Sequence, residues 1–156
     1  MPDTNGNMIE VKDLVTHYGE TKIIDGVSFA VKRGEIFVII GGSGCGKTTL
    51  LNALIGLLPA RGTVRYENND IGGYITEARV TRGLCLVPER RELFGALRVE
   101  DNLLLGAFPR LRVGMWTIRA DLADVYLLFP RLLERRRQFA STLSGASIDA
   151  IVAGPE

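Results

Sequence analysis

The sequence predicts an α/β fold built around a strand, a glycine-rich turn and a helix, and three observations point to it. Residues 36–40 are continuously apolar, as a strand buried on both faces of a parallel sheet should be. Gly41, Gly42, Gly44 and Gly46 follow at once, a density suited to a backbone whose dihedrals would penalise a Cβ. Leu50, Leu51, Leu54, Ile55 and Leu58 then recur at helical spacing, which makes the next segment a helix with one apolar side.

The turn carries chemistry as well as shape. Gly41, Gly46, Lys47 and Thr48 satisfy the pattern G-x-x-x-x-G-K-[ST], with Ser43, Cys45 and Thr49 completing the loop and the start of the helix. Such a loop turns successive backbone N–H groups around an anion, and the helix behind it aims its positive dipole end at the same place. The Lys47 ammonium then suits the β- and γ-phosphates of a nucleotide, and the Thr48 hydroxyl suits Mg²⁺. A glycine-rich turn that merely precedes a lysine is the bland alternative. A buried strand before the turn and an amphipathic helix after it favour the phosphate cradle.

Composition bounds the rest. At 156 residues with 46% hydrophobic content, the chain has the size and apolar content of one domain. Nineteen basic and eighteen acidic side chains leave a net charge of +1, so charge does not point to nucleic acid. Residues 1–8 are polar and lack the build of a signal peptide, and no apolar run reaches the ~18 residues of a membrane span. The expected location is therefore the cytoplasm. Cys45 and Cys85 have no metal-ligand spacing and read as two reduced side chains.

In chain order, residues 9–14 alternate as a strand and lead to a turn that displays His17 and Tyr18. The Tyr18 ring can stack on a base or serve only as surface, and His17 reads as a solvated side chain. Asp25 and Gly26 signal a turn before a second strand with Val27, Phe29 and Val31 on one face. After the glycine-rich loop and its helix, Pro59 and Gly62 are expected to stop the helix, and residues 62–66 form a strand ending in a polar turn at 67–70. Residues 75–82 suit a short helix. Residues 84–87 suit a buried strand that Pro88 ends, delivering Glu89 to the sheet edge where parallel sheets bind ligands. There Glu89 either holds Mg²⁺ or pairs with Arg90 or Arg91. From Val99 to Phe139 the pattern is helical, with Ile118, Leu122, Val125, Phe129, Leu132 and Leu133 as a stripe divided at Pro130. Arg135, Arg136 and Arg137 read as a solvated helix end.

Together these landmarks resemble the nucleotide-binding subunit of an ATP-binding cassette (ABC) transporter, over about residues 8–145. The resemblance rests on Tyr18, the loop 41–49, Val87-Pro88-Glu89, the helical segment opening at Val99, and Leu143-Ser144-Gly145, which matches the start of the family signature. It implies a P-loop NTPase fold of the ABC type, with N-terminal antiparallel strands, a partial core parallel sheet and an α-helical subdomain. The expected divisions are 1–91 for the nucleotide-binding core, 92–145 for the helical subdomain and 146–156 for a tail unlike the family. ATP and Mg²⁺ are the implied cofactors. Tyr18 becomes the adenine stacker, residues 41–49 the phosphate loop, and Thr48 with Glu89 the metal site. The implied partners are a membrane permease, met through the Glu89 loop, and a second ATPase subunit that meets Leu143, Ser144 and Gly145; nucleic acid is not among them. That would hold the chain peripherally on the inner face of the membrane. The Val87-Pro88-Glu89 form, with Tyr126, Phe129, Pro130 and Arg131, is most similar to the ATPases of branched-chain amino-acid importers, although these usually have glycine at the position of Arg90.

The chain departs from the family after Gly145. Ala146 and Ser147 stand where glycine and glutamine are expected, and no later apolar strand ends in the Asp-Glu pair that binds magnesium and supplies the base. The expectation is a C-terminally truncated or frameshifted chain that cradles ATP and has no catalytic residue to turn it over. Without the later strands, residues 36–40 are expected to lack neighbours and to favour aggregation. A catalytically inactive nucleotide- or permease-binding module is the alternative. A P-loop kinase or GTPase is disfavoured because no base-specificity motif or substrate lid is visible.

Overall fold

The computed structural model describes residues 6–88, 92–109 and 115–143. The chain divides into two compact units, Met1–Leu86 and Val87–Glu156. In the first, β1 (Asn7–Tyr18) and β2 (Thr21–Lys32) form a hairpin joined by Gly19 and Glu20, with Gly19 at φ +58°. Asp25 and Gly26 do not make the turn expected of them. Leu14 pairs with Val27 and Thr16 with Ile24, so the extra residue is taken up as a bulge and β2 runs on through it, with Gly26 at φ +67°.

β3 (Ala60–Tyr66) pairs with the other edge of β1, and β4 (Asn69–Asp70) pairs with β3. The resulting sheet has four strands in the order β2-β1-β3-β4, all antiparallel. Glu67 and Asn68 both have positive φ, the requirement of a tight two-residue hairpin whose twist matches its strands. Gly62 sits beside the irregularity in β1, where a Cβ would lie 2.5 Å from the Asp13 carbonyl oxygen.

α1 (Lys47–Ile55) packs Leu50, Ala53 and Leu54 against Val11, Leu14, Ile24, Val64, Tyr66 and Ile71. It ends at Gly56 and not at Pro59 or Gly62. Gly56 adopts φ +85°, its N–H reaches the Ala53 carbonyl, and the Leu57 N–H reaches that of Asn52. α2 (Thr76–Val80) falls within the segment expected to be helical.

The strand expectations for residues 36–40 and 84–87 are corrected: among the described residues neither run pairs with another strand. A parallel strand needs a backbone neighbour, and here none lies alongside. Residues 36–40 therefore find contact on one side only. The Phe37 ring stacks on Phe29 with centroids 5.1 Å apart, and Ile39 packs against the core. Ile36, Val38 and Ile40 remain 91%, 67% and 90% exposed, so the run is open to solvent on its other side.

In the second unit, α3 (Val99–Gly106) and α4 (Met115–Leu128) are followed by α5 (Pro130–Glu134), with Pro130 opening α5. A 3₁₀ turn covers Ala140–Thr142. Val99, Leu132 and Leu143 form the buried centre, with Leu103, Val125, Tyr126 and Phe129 around it. Ile118 is buried as the stripe requires, whereas Leu133 is exposed. Asn102 is also buried. Its side chain accepts from the Phe94 N–H at 3.0 Å and donates to the Phe94 and Arg98 carbonyls at 3.2 and 2.9 Å, tying down the approach to α3.

Candidate functional site: the loop before α1

The loop from Gly41 to Gly46 is curled. The Cys45 N–H reaches the Gly42 carbonyl at 3.3 Å, and Lys47 Nζ folds back to donate to the Gly41 and Gly42 carbonyls at 2.7 and 2.9 Å. Nζ also lies 3.6 Å from Cys45 Sγ. The ammonium thus sits over the turn that its own helix closes.

Two glycines carry this shape. At Gly41 a Cβ would run into Cys45 Sγ, so a side chain there would force the Cys45 thiol out of its place against the turn. Gly46 has φ +97°, and a Cβ there would meet Ile24 Cδ1 at 2.9 Å and Ile23 Cγ2 at 3.4 Å. The second contact shows how the β1–β2 hairpin reaches the site: Ile23 and Ile24 of β2 lie against the N-cap of α1.

The Leu50 N–H bonds to the Gly46 carbonyl at 2.8 Å, which closes the first helical turn, and the N–H groups ahead of it have no intrahelical partner. Among the described residues, no protein acceptor meets the amides of Gly42, Ser43, Gly44, Gly46, Lys47, Thr48 or Thr49. A helix N-terminus, a run of unclaimed amides and a lysine together form an anion-binding arrangement. This donor set fits a polyphosphate. The Thr48 side chain is exposed beside it and available to a cation.

Tyr18 closes β1 and is 53% exposed, on the same hairpin as Ile23 and Ile24. Leu143 is buried in the second unit and acts there as packing. Glu89, Arg90 and Arg91 lie outside the described residues, as do Ser144, Gly145, Ala146, Ser147 and the tail to Glu156. No cluster of three or more His, Cys, Asp or Glu suited to a metal occurs among the described residues. None of their helices is long and apolar enough to cross a membrane.

One residue at the opposite end of α1 escaped the sequence reading. Arg79 of α2 is 5% exposed and, among the described residues, donates to main-chain carbonyls alone: Ala53 and Leu54 at 3.3 and 2.6 Å, Gly72 at 3.1 Å and Tyr74 at 3.0 Å. Burial lowers its pKa from the usual value, and the Asp70 carboxylate opposes that shift. The guanidinium nevertheless stays protonated. Its partners leave no trace in the sequence, because every residue carries a carbonyl.

Comparison with known proteins adds an independent line. A family profile described as ABC transporter matches residues 24–151. A high-affinity branched-chain amino acid transport ATP-binding protein from Pseudomonas aeruginosa is 36% identical over 148 residues, covering 94% of this chain and 62% of that protein. A methionine import ATP-binding protein from Mesorhizobium japonicum is 35% identical over 149 residues, covering 92% of this chain and 40% of its own length. Among solved structures, a nucleotide-free ATP-binding cassette from an ABC transporter superposes with a TM-score of 0.76 at 25% identity, over 95% of this chain and 63% of that one. A cassette in its ADP conformation gives 0.74 at 27% identity, over 95% and 63%. The chain thus spans less than two thirds of each of these relatives.

Proposed function

The chain belongs to the ABC transporter family, and on that premise we propose that it is the ATP-binding part of an importer's ATPase subunit. The observation that carries this reading is the loop before α1, where amides with no protein acceptor among the described residues lead into a helix N-terminus and Lys47 Nζ folds back onto the Gly41 and Gly42 carbonyls. In this reading the amides from Gly41 to Thr49 and the Lys47 ammonium take the phosphates, and the Thr48 hydroxyl and Glu89 hold Mg²⁺. Tyr18 stacks on adenine from the hairpin beside the loop. Ser144 and Gly145, which follow the buried Leu143, face the nucleotide of a second ATPase subunit, and the Glu89 loop meets the permease, which keeps the protein on the inner face of the membrane.

Hydrolysis in this family needs a positioned water as well as a held phosphate. The sequence contains no apolar strand ending in an Asp-Glu pair, so the chain by itself is proposed to bind MgATP without turning it over. Branched-chain amino acids are the proposed cargo of the whole transporter. Support comes from Val87-Pro88-Glu89, from Tyr126, Phe129, Pro130 and Arg131, and from the 36% identical relative.

Calorimetric titration with MgATP, with Lys47→Ala as control, tests the reading. Binding to the native chain that weakens at least about tenfold in the variant is expected, since the ammonium makes charge-assisted contacts to phosphate. Equal binding by both would refute the site. Phosphate release by the purified chain would refute the proposal that it cannot turn ATP over.

A further inference from the structure

α1 is a nine-residue helix with a different task at each end. Its N-terminus presents the phosphate loop, and its C-terminal carbonyls, the negative end of its dipole, receive a buried cation. Burying a guanidinium with no carboxylate hydrogen-bonded to it among the described residues is costly, and the arrangement persists because the fork finds four main-chain carbonyls at once. Two of them belong to the end of α1, at Ala53 and Leu54. The other two, Gly72 and Tyr74, belong to the segment between β4 and α2. The helix end is also shaped to admit the group. A Cβ on Gly56 would lie 3.1 Å from Arg79 Nε and 3.2 Å from Cζ, so a glycine is wanted there for clearance as well as for its φ of +85°.

We propose that Arg79 is a positioning residue for nucleotide binding: it pins the C-terminal end of α1 to the segment before α2, which fixes the helix along its axis and so holds the loop amides and Lys47 in register with the phosphates. An apolar residue of the same length would fill the space and leave the carbonyls of Leu54 and Gly72 without their donor. The helix end would then be free to shift, and a displacement of even about 1 Å at a helix N-terminus is enough to spoil a phosphate site. Nothing in this role requires Arg79 to touch the ligand. The effect passes through a single short rigid element.

The inference rests on the proposed nucleotide site, and the experiment separates the two. The full chain, Arg79→Met, Arg79→Lys and the core control Leu132→Ala are compared for MgADP affinity well below their melting transitions, with circular dichroism and melting temperature as checks on folding. Arg79→Met is expected to weaken MgADP by about tenfold or more, and Arg79→Lys to recover much of the loss, because an ammonium restores the charge and up to three donors. Leu132→Ala, at a residue buried in the second unit and outside the cluster that packs on α1, is expected to lower the melting temperature while changing affinity by less than about twofold. Arg79→Met with unchanged affinity, or Leu132→Ala with an equal loss, would reduce Arg79 to a packing residue and overturn the proposal. Absence of MgADP binding by the native chain would instead remove the nucleotide reading itself. If Arg79→Met does not fold, hydrogen exchange on the native chain decides. MgADP should then slow exchange at residues 72–74 as well as in the loop, and protection confined to the loop would overturn the coupling.

Discussion

The exposed row Ile36, Val38 and Ile40 has a cost that can be worked out. Fully covering a Val or Ile side chain is worth about 1.5–3 kcal/mol, so these three, at their observed exposures, forgo roughly 4–7 kcal/mol per chain. The opposite side of the run is already engaged by the Phe37–Phe29 stack and by Ile39, so only the outer row is available to a new contact. Two chains that met through this row would together recover about twice that sum, against the ~4–15 kcal/mol that association costs. With the cost at the low end of that range, the surplus of about 4–10 kcal/mol corresponds to self-association between the millimolar and the sub-micromolar range. Val38→Lys places a charge at the centre of the row. Burying it unpaired costs several kcal/mol, which should shift self-association upward in concentration by at least about tenfold. Sedimentation velocity across a dilution series, for the native chain and for Val38→Lys, reads this directly. A native chain that stays monomeric throughout, or a variant that associates equally, would refute the reasoning. The inward residues keep their places in this variant, so an unchanged far-ultraviolet spectrum is part of the expected result.

Two further predictions follow from the same geometry. Tyr18→Ala should weaken MgATP by about 1–3 kcal/mol, the worth of stacking one base, while leaving inorganic tripolyphosphate unaffected; an equal loss for both ligands would place Tyr18 outside the base site. Leu132→Ala removes a side chain with no exposed surface from the centre of the second unit and should destabilise that unit by about 2–5 kcal/mol, read by chemical denaturation followed by hydrogen exchange of α4 and α5.

What was legible in the sequence was whatever depended on neighbours along the chain. The loop before α1 is local: its glycines, its lysine and the helix after it lie within a dozen positions, and the chain does curl there, with Lys47 Nζ on the Gly41 and Gly42 carbonyls, whereas the spacing predicts that ammonium on phosphates. The alternation of Val27, Phe29 and Val31 is readable for the same reason, whereas the turn between β1 and β2 lies at Gly19 and Glu20 and not at Asp25 and Gly26, and β4 falls within the run 67–70 expected as a turn. The end of α1 was not. Leu58 continues the apolar spacing past Gly56, so the pattern runs on while the left-handed glycine has already stopped the helix. The run at 36–40 divides in a more instructive way: the strand expected of it does not pair, whereas the expected lack of neighbours matches its exposed outer row. Its composition specifies a doubly covered environment, but composition cannot supply the cover, and burial belongs to the partner as much as to the run.

Arg79 completes the contrast, because its role is written in acceptors that have no sequence identity. An arginine within a short polar helix reads as surface, and only the folded chain brings the carbonyls of Ala53, Leu54, Gly72 and Tyr74 around one guanidinium. Gly56 was the available signal: it serves as the helix stop and as the clearance for Nε and Cζ, two demands on one residue that a stop signal alone does not explain. The loop that the sequence announces is therefore held at its distant end by a contact the sequence conceals. Lys47 and its glycines decide what can bind, while Arg79 decides where the helix that carries them stands. On this account the two ends of α1 must fail differently: changes at Lys47 weaken phosphate binding by removing a contact to the ligand itself, whereas changes at Arg79 weaken it in proportion to how far the helix end is released.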